Sequence, residues 1–257
     1  MKYLYSYQSI TRFAKPVIWH TYLLRIDPWE NSCQRLVQQS VFLEPGGREG
    51  TGTDGLGNKI RYGTVMEPHT GFTYVSSGIV ELADEYCIPD EGCVALYKAP
   101  TTLTQMSEDM HRWLSRVKQK GSALEQALTL SHRLYRRMKY VPLSTRNATS
   151  AAQAFGQKKG VCQDYAHILL ALCRARGLTA RYVCGLIEGE GSTHAWVEVY
   201  GEDRCWRGVD PTHDTLITTG YIKLAHGRDV NDCPVNRGLY RGYTQEENQV
   251  RVIVTEL

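Results

Sequence analysis

Short runs in which apolar and polar positions alternate, or in which β-branched and aromatic residues cluster between turn signals, dominate the first hundred residues. Trp19 to Ile26, Gln38 to Leu43, Lys59 to Tyr62 and Thr73 to Leu82 are such runs and predict strands. Among them lies Gly46 to Gly57, which holds six glycines. No Gly-Lys-Ser/Thr follows it and no helical pattern opens after it, so a phosphate cradle is disfavoured. It reads as a long hairpin connection ending in the turn Asp54-Gly55-Leu56-Gly57-Asn58. Residues 1–95 are therefore expected to form a β-rich, sandwich-like accessory domain.

Beyond Pro89 and Pro100 the period changes. Leu103 to Lys118 and Ala123 to Tyr140 carry apolar residues at three- and four-residue spacing, and Ser122-x-x-Glu125 is a capping box for the second helix. Arg133, Arg136, Arg137 and Lys139 at its end suit the helix dipole and read as a solvated face. A third helix runs from Cys162 to about Ala175, stopped by Gly177. Strands are expected at Arg181 to Ile187, His194 to Tyr200 and Cys205 to Val209. The class is α+β, with residues 96–257 as the second domain.

Composition narrows the function classes. The 257 residues are 42% hydrophobic and 22% charged, an ordinary globular balance that excludes disorder and collagen. A formal charge of +3 gives no electrostatic reason to expect a nucleic-acid or membrane partner. Met1 to Phe13 has no apolar leader core, and the longest apolar run, Ile168 to Cys173, is six residues against the roughly 20 that span a bilayer. The expected location is the cytoplasm, where the eight cysteines would be free thiols, and Asn147-Ala148-Thr149 would be a sequon without consequence. Oligomeric state is open.

One cysteine stands apart. Cys162 falls where a Gly-Val turn enters a helix, beside amide N–H groups without intrahelical partners, a setting that favours a thiolate. His194 follows 32 residues later and Asp210 another 16, each at the start or end of an expected element. Thiol catalysis uses these three types: a thiolate attacks a carbonyl, an imidazole shuttles the proton, and a carboxylate fixes the imidazole's tautomer. The period of two puts His194, Trp196, Glu198 and Tyr200 on one face of their strand and Ala195, Val197 and Val199 on the core face, so His194 is expected outside the core.

Four ordered blocks carry a resemblance: Gly160-Val161-Cys162-Gln163-Asp164-Tyr165-Ala166-His167, Ala180-Arg181-Tyr182-Val183-x-Gly185, Ser192-Thr193-His194-Ala195-Trp196-Val197-Glu198-Val199-Tyr200, and Trp206-x-Gly208-Val209-Asp210-Pro211-Thr212. Together the blocks resemble the bacterial transglutaminase-like cysteine-enzyme family. Asp54-x-x-Gly57-Asn58 and Glu67-Pro68-His69-Thr70 resemble the N-terminal region fused to it, and Gly227-Arg228-Asp229 through Arg237-Gly238 its C-terminal segment. The resemblance implies a papain-like α+β core with Cys162 as nucleophile, His194 as base and acid, and Asp210 as the orienting residue. His213 departs from the pattern, where an Asn commonly follows Asp-Pro-Thr, and reads as an incidental surface residue.

The leading expectation is a cofactor-free thiol hydrolase acting on an amide, peptide or isopeptide bond of a peptide, protein or small amide substrate. An acyltransferase that passes the thioester to an amine, and an inert scaffold with the same fold, are the alternatives. Gln163 and Tyr140 are candidate second oxyanion donors, and Trp196, with Trp206 and Tyr200, a candidate cleft residue. Cys162, His167, His194 and His213 lack the spacing of a metal site, so no metal is expected.

Overall fold

Both ends of the chain meet in one sheet. The structure, a computed structural model, describes residues 1–89, 94–146 and 148–257, which leaves Cys93 and Asn147 of the sequon outside the described residues. Five strands come first: β1 (Lys2–Leu24), β2 (Gln34–Glu44), β3 (Arg48–Thr53), β4 (Lys59–Val65) and β5 (His69–Leu82). The two-residue β6 (Ile88–Pro89) leads to α1 (Glu108–Ser115), α2 (Ala123–Tyr135), β7 (Lys139–Tyr140), α3 (Ala151–Gln157), β8 (Lys159–Gly160) and α4 (Cys162–Ala175). Next come β9 (Ala180–Ile187), β10 (Gly189–Gly191), β11 (His194–Tyr200), β12 (Cys205–Asp210), β13 (Thr215–Leu216) and β14 (Tyr221–Gly227). Two last strands, β15 (Asn236–Arg241) and β16 (Glu246–Glu256), return to the beginning. The fold is α+β, as its alternating and helical periods predict.

β1 explains the polar interruptions at the N-terminus. Tyr3, Tyr5, Tyr7, Ser9, Thr11 and Phe13 point inward on a period of two, so these residues form an amphipathic strand that starts well before Trp19. Its first half lies between β5 and β16, running from Tyr3 opposite Glu256 to Phe13 opposite Glu246. After an irregularity between Arg12 and Val17 its second half pairs with β4 and β15, so one strand serves both faces of a curled, sandwich-like layer. Residues 236–256, placed with the second domain by chain order, thus complete the first sheet.

The Gly-rich stretch is a correction. Only its end is a turn; Arg48–Thr53 is a strand, paired with β4 from Arg48 opposite Thr64 to Thr53 opposite Lys59. Glycine suits it because the Tyr62 ring crosses that face, and a Cβ on Gly50 would lie 2.9 Å from it. The turn has a docking role. Asn58, fully buried, donates to His226 O at 2.9 Å and accepts from His226 N at 2.8 Å, while Asp54 binds Arg25 at 2.9 Å. The hairpin is thereby fastened to β14.

The central sheet runs β13-β12-β11-β9-β14, antiparallel throughout, with β6 on the β12 edge. Helices α2 and α4 cover one face, where Leu130, Leu134, Leu169, Val197 and Val199 share a core. The other face meets the first sheet, so Leu186, Ile222 and Leu224 pack with Tyr3, Tyr74, Val252 and Val254. A sheet covered on both faces buries both sides of β11, which is why its alternation does not mark an exposed face. α2 ends at Tyr135 instead of Tyr140 because Lys139–Tyr140 pairs in parallel with Lys159–Gly160. The expected first helix likewise shortens to Glu108–Ser115, preceded by a 3₁₀ turn at Thr102–Thr104. Arg137 is not simply solvated: its guanidinium lies 4.0 Å above the Phe155 ring.

The expectation of eight free thiols is also corrected, since Cys87 and Cys205 form a disulfide that ties the segment before β6 to the start of β12. Thiols at Cys33, Cys162, Cys173, Cys184 and Cys233 are free.

Beneath the central sheet Glu198, fully buried, is bound by Arg181, by Lys223 at 2.8 and 2.9 Å, and by the Tyr86 hydroxyl at 2.5 Å. Burial works against its ionisation, but Arg181 and Lys223 outweigh that and hold its carboxyl down to about 2. Replacing Glu198 with Gln leaves two buried cations unopposed. We expect that variant to lose about 3–5 kcal/mol of stability by urea denaturation.

Candidate active site

The site is assembled from the ends of three elements. Val161, in extended conformation, precedes α4 and places Cys162 at its first position. Asp164 steadies this entry: its Oδ2 accepts from Val161 N at 2.8 Å and from the Thr145 hydroxyl at 2.5 Å. A Cβ on Gly160 would approach that carboxylate to 2.7 Å, so the glycine lets the turn close over it.

The register of the central sheet brings the other two groups to the same end. Val197 pairs with Val209 in an antiparallel ladder, so the start of β11 and the end of β12 converge. His194 Nε2 lies 2.8 Å from Asp210 Oδ2, and the imidazole shares the groove with Cys162, whose sulfur is near enough to raise its pKa. With Nε2 facing the carboxylate, Nδ1 is the atom left for the sulfur. His194 is only 7% exposed and Asp210 is fully buried, so the expectation of a non-core histidine is corrected.

Electrostatics favour a charged imidazole. Burial alone would lower the His194 pKa, but the Asp210 carboxylate and the Cys162 sulfur together raise it to about 10. Asp210 is itself pushed well below the usual carboxylate range, because hydrogen bonds from His194 and His213 outweigh its burial. Its Oδ2 also accepts from Tyr221 OH at 2.9 Å, and Oδ1 accepts from Thr212 N at 2.8 Å. The carboxylate is thus rigidly oriented.

His213 is the second correction to the expected site. Its Nδ1 is 2.6 Å from Asp210 Oδ2 and its ring centroid is 5.2 Å from that of His194, so it is no incidental surface residue. Trp196 is the third: fully buried, it stacks behind His194 at 6.4 Å and meets Tyr221 edge-on at 5.4 Å, where no substrate reaches it. Trp206 is likewise buried, under Arg181 and Tyr97. Tyr140, 53% exposed, and Gln163 do line the groove with Cys162.

Two cavities meet at His194. The first, about 470 Å³, is lined by Cys162, Gln163, Tyr140, Tyr182, Ser192 and Thr193 on one side and by Tyr7, Tyr74, Asn236 and Asn248 of the first sheet on the other. No Asp, Glu, Lys or Arg among the described residues lines it. The second, about 600 Å³, is bounded by Tyr135, Met138, Tyr140, Tyr165, Thr212, His213 and His194. Sequence patterns did not single out Tyr7, Tyr74, Asn236, Asn248 or Tyr221, which reach the site only through tertiary packing.

Among the described residues, three metal-capable side chains come together only at His194, Asp210 and His213, whose atoms lie within 4.8 Å of one another. Both imidazoles already bind the carboxylate there, and those hydrogen bonds account for the cluster. His167 lies apart, fully buried, its pKa lowered by burial to about 4, with Nε2 accepting from Val230 N at 3.3 Å.

Comparison with known proteins agrees with this architecture. Residues 111–211 match the transglutaminase-like superfamily, and residues 3–81 match the bacterial transglutaminase-like N-terminal region. An uncharacterized protein of Mycobacterium tuberculosis is 30% identical over 88% of this chain and 82% of its own length. The chain belongs to the transglutaminase-like superfamily. The crystal structure of a "putative cysteine protease" from Cytophaga hutchinsonii shares the fold, with a TM-score of 0.82 at 21% identity over 100% of this chain and 91% of that one. A protein-glutamine gamma-glutamyltransferase of Pseudomonas aeruginosa is 30% identical over 34% of this chain, which is 16% of that protein. This transglutaminase-like chain has no helix long and apolar enough to cross a membrane among its described residues.

Proposed function

We propose that the protein is a thiol-dependent hydrolase that cleaves an amide, peptide or isopeptide bond through a thioester on Cys162. The observation that carries this reading is the convergence of the Cys162 sulfur, at the N-terminus of α4, with the hydrogen-bonded pair His194 and Asp210. The sulfur attacks the carbonyl carbon, and the oxyanion faces the first-turn amides of α4. His194 gives its Nδ1 proton to the amine as the carbon–nitrogen bond breaks. Water then attacks the thioester, its proton passes to His194, and the carbon–sulfur bond opens to restore Cys162. Asp210 holds the Nε2 proton in place throughout.

Apart from the His194 imidazole, the described lining of the first cavity carries no charged side chain, which suits a neutral acyl group. Its far wall comes from the first sheet, which gives the N-terminal region a part in substrate binding. Acyl transfer to an amine is the second reading, favoured by the separate cavity on the far side of His194 and by the similarity to the Pseudomonas aeruginosa enzyme. The inert scaffold has less support, because all three groups are present at one site. Incubation with a peptide amide and a labelled primary amine decides between the first two: free acid is expected, and predominant amide product would establish transfer.

Gln163 and Tyr140 compete for the second oxyanion donor. Loss of the true donor, tested as Tyr140→Phe and Gln163→Ala, is expected to lower kcat by about 10²–10³-fold. The other substitution should change kcat by much less. The Cys87–Cys205 disulfide is better maintained in an oxidising environment than in a reducing cytosol.

A further inference from the structure

Cys162 lines the first cavity only, whereas His194 lines both. In the thioester reading the acyl carbon is bonded to the sulfur and its oxygen faces α4, which places the acyl portion in the first cavity. The nitrogen that His194 protonates stands at Nδ1 beside the sulfur, so the rest of the amine, directed away from the acyl group, extends past the edge of the imidazole toward the second cavity, which shares His194 and Tyr140 with the first. That cavity has an aromatic and apolar wall of Tyr135, Met138 and Tyr165, and no Asp, Glu, Lys or Arg among the described residues lines it.

His213 adds a polar handle. Its Nδ1 meets a carboxylate oxygen, which only accepts, so in the neutral ring Nδ1 carries the proton and Nε2 keeps its lone pair. The side chain is 53% exposed, borders the second cavity, and has no hydrogen-bond partner on Nε2 among the described residues.

Resting on the thioester reading, we propose that the second cavity is the amine-side subsite and that His213 Nε2 accepts a hydrogen bond from the amide N–H next to the reacting nitrogen. The amine it selects has an apolar side chain, seated against Tyr135, Met138 and Tyr165, and an adjacent carboxamide. This is the chemistry of the first residue beyond a scissile peptide bond. Capture of the acyl-enzyme by such an amine forms one carbon–nitrogen bond, breaks the carbon–sulfur bond and returns one proton through His194.

The test acylates the enzyme with p-nitrophenyl acetate and lets phenylalaninamide, phenethylamine or glycinamide compete with water. Phenethylamine lacks the carboxamide and glycinamide lacks the side chain. Wild type is expected to capture phenylalaninamide about tenfold better than either. In His213→Asn a donor to Asp210 can remain, but the shorter amide no longer places an acceptor where Nε2 stood, so whatever happens to the overall rate, the phenylalaninamide-to-phenethylamine ratio should fall to about one. Equal capture of the three amines by wild type, or a ratio retained in His213→Asn, would overturn the subsite. Absence of a p-nitrophenol burst would instead sink the thioester reading. Calorimetric titration with the same amines then judges the cavity directly, the same order supporting it and equal affinities refuting it.

Discussion

Replacing Cys162 with Ala should lower turnover of an amide substrate by about 10⁴-fold or more while leaving the urea unfolding midpoint close to that of the wild type. The thiol is half-buried at the groove and its removal opens no core cavity, so lost activity cannot be charged to lost folding. His194→Ala should show a comparable loss. Because sulfur and imidazole act as one unit, the double variant should be scarcely slower than either single one. Steady-state kinetics beside urea titration check all three, and a fully active Cys162→Ala would end the assignment.

Asp210→Asn carries the second large effect. His194 presents Nε2 to Asp210 and Nδ1 to the sulfur, so only an acceptor at residue 210 keeps the proton where catalysis needs it. We expect kcat to fall by about 10⁴-fold. The pH profile adds a sign. His194 is raised to about 10, so the charged imidazole persists as pH rises and the alkaline limb of the wild-type profile should lie near that value, far above an ordinary histidine. Removing the carboxylate removes one of the groups that raise it, and the limb should move to lower pH. The same shift means that the His194 contribution to stability is fully present below the ordinary histidine value and is lost as pH approaches about 10.

Much of the site was legible because short-range signals and chemistry coincide there. Gly160 and Val161 before a helical period placed Cys162 at the head of α4, and dense Val and Trp placed His194 at the head of β11. The alternation in β11 misled about exposure, since the pattern shows which residues share a face but not what covers it. α3 was missed although Ser150 and Gln153 form a capping box, because seven residues with Gly156 among them give too short a period. β3 was hidden by glycines that Tyr62 makes useful, a contact between strands that no local pattern records. His213, Tyr221 and Asn236 reach the site through register and packing, which depend on how β12, β14 and β15 are arranged in space.

Everything in this mechanism passes through a covalent acyl-enzyme on one sulfur. Intact-mass analysis of the protein mixed rapidly with p-nitrophenyl acetate, followed by peptide mapping, measures it directly. A single acetyl adduct on Cys162 is expected, decaying with the steady-state rate and absent from Cys162→Ala. An adduct on Cys33 or another residue, or turnover with no adduct on Cys162 and undiminished in Cys162→Ala, would contradict it.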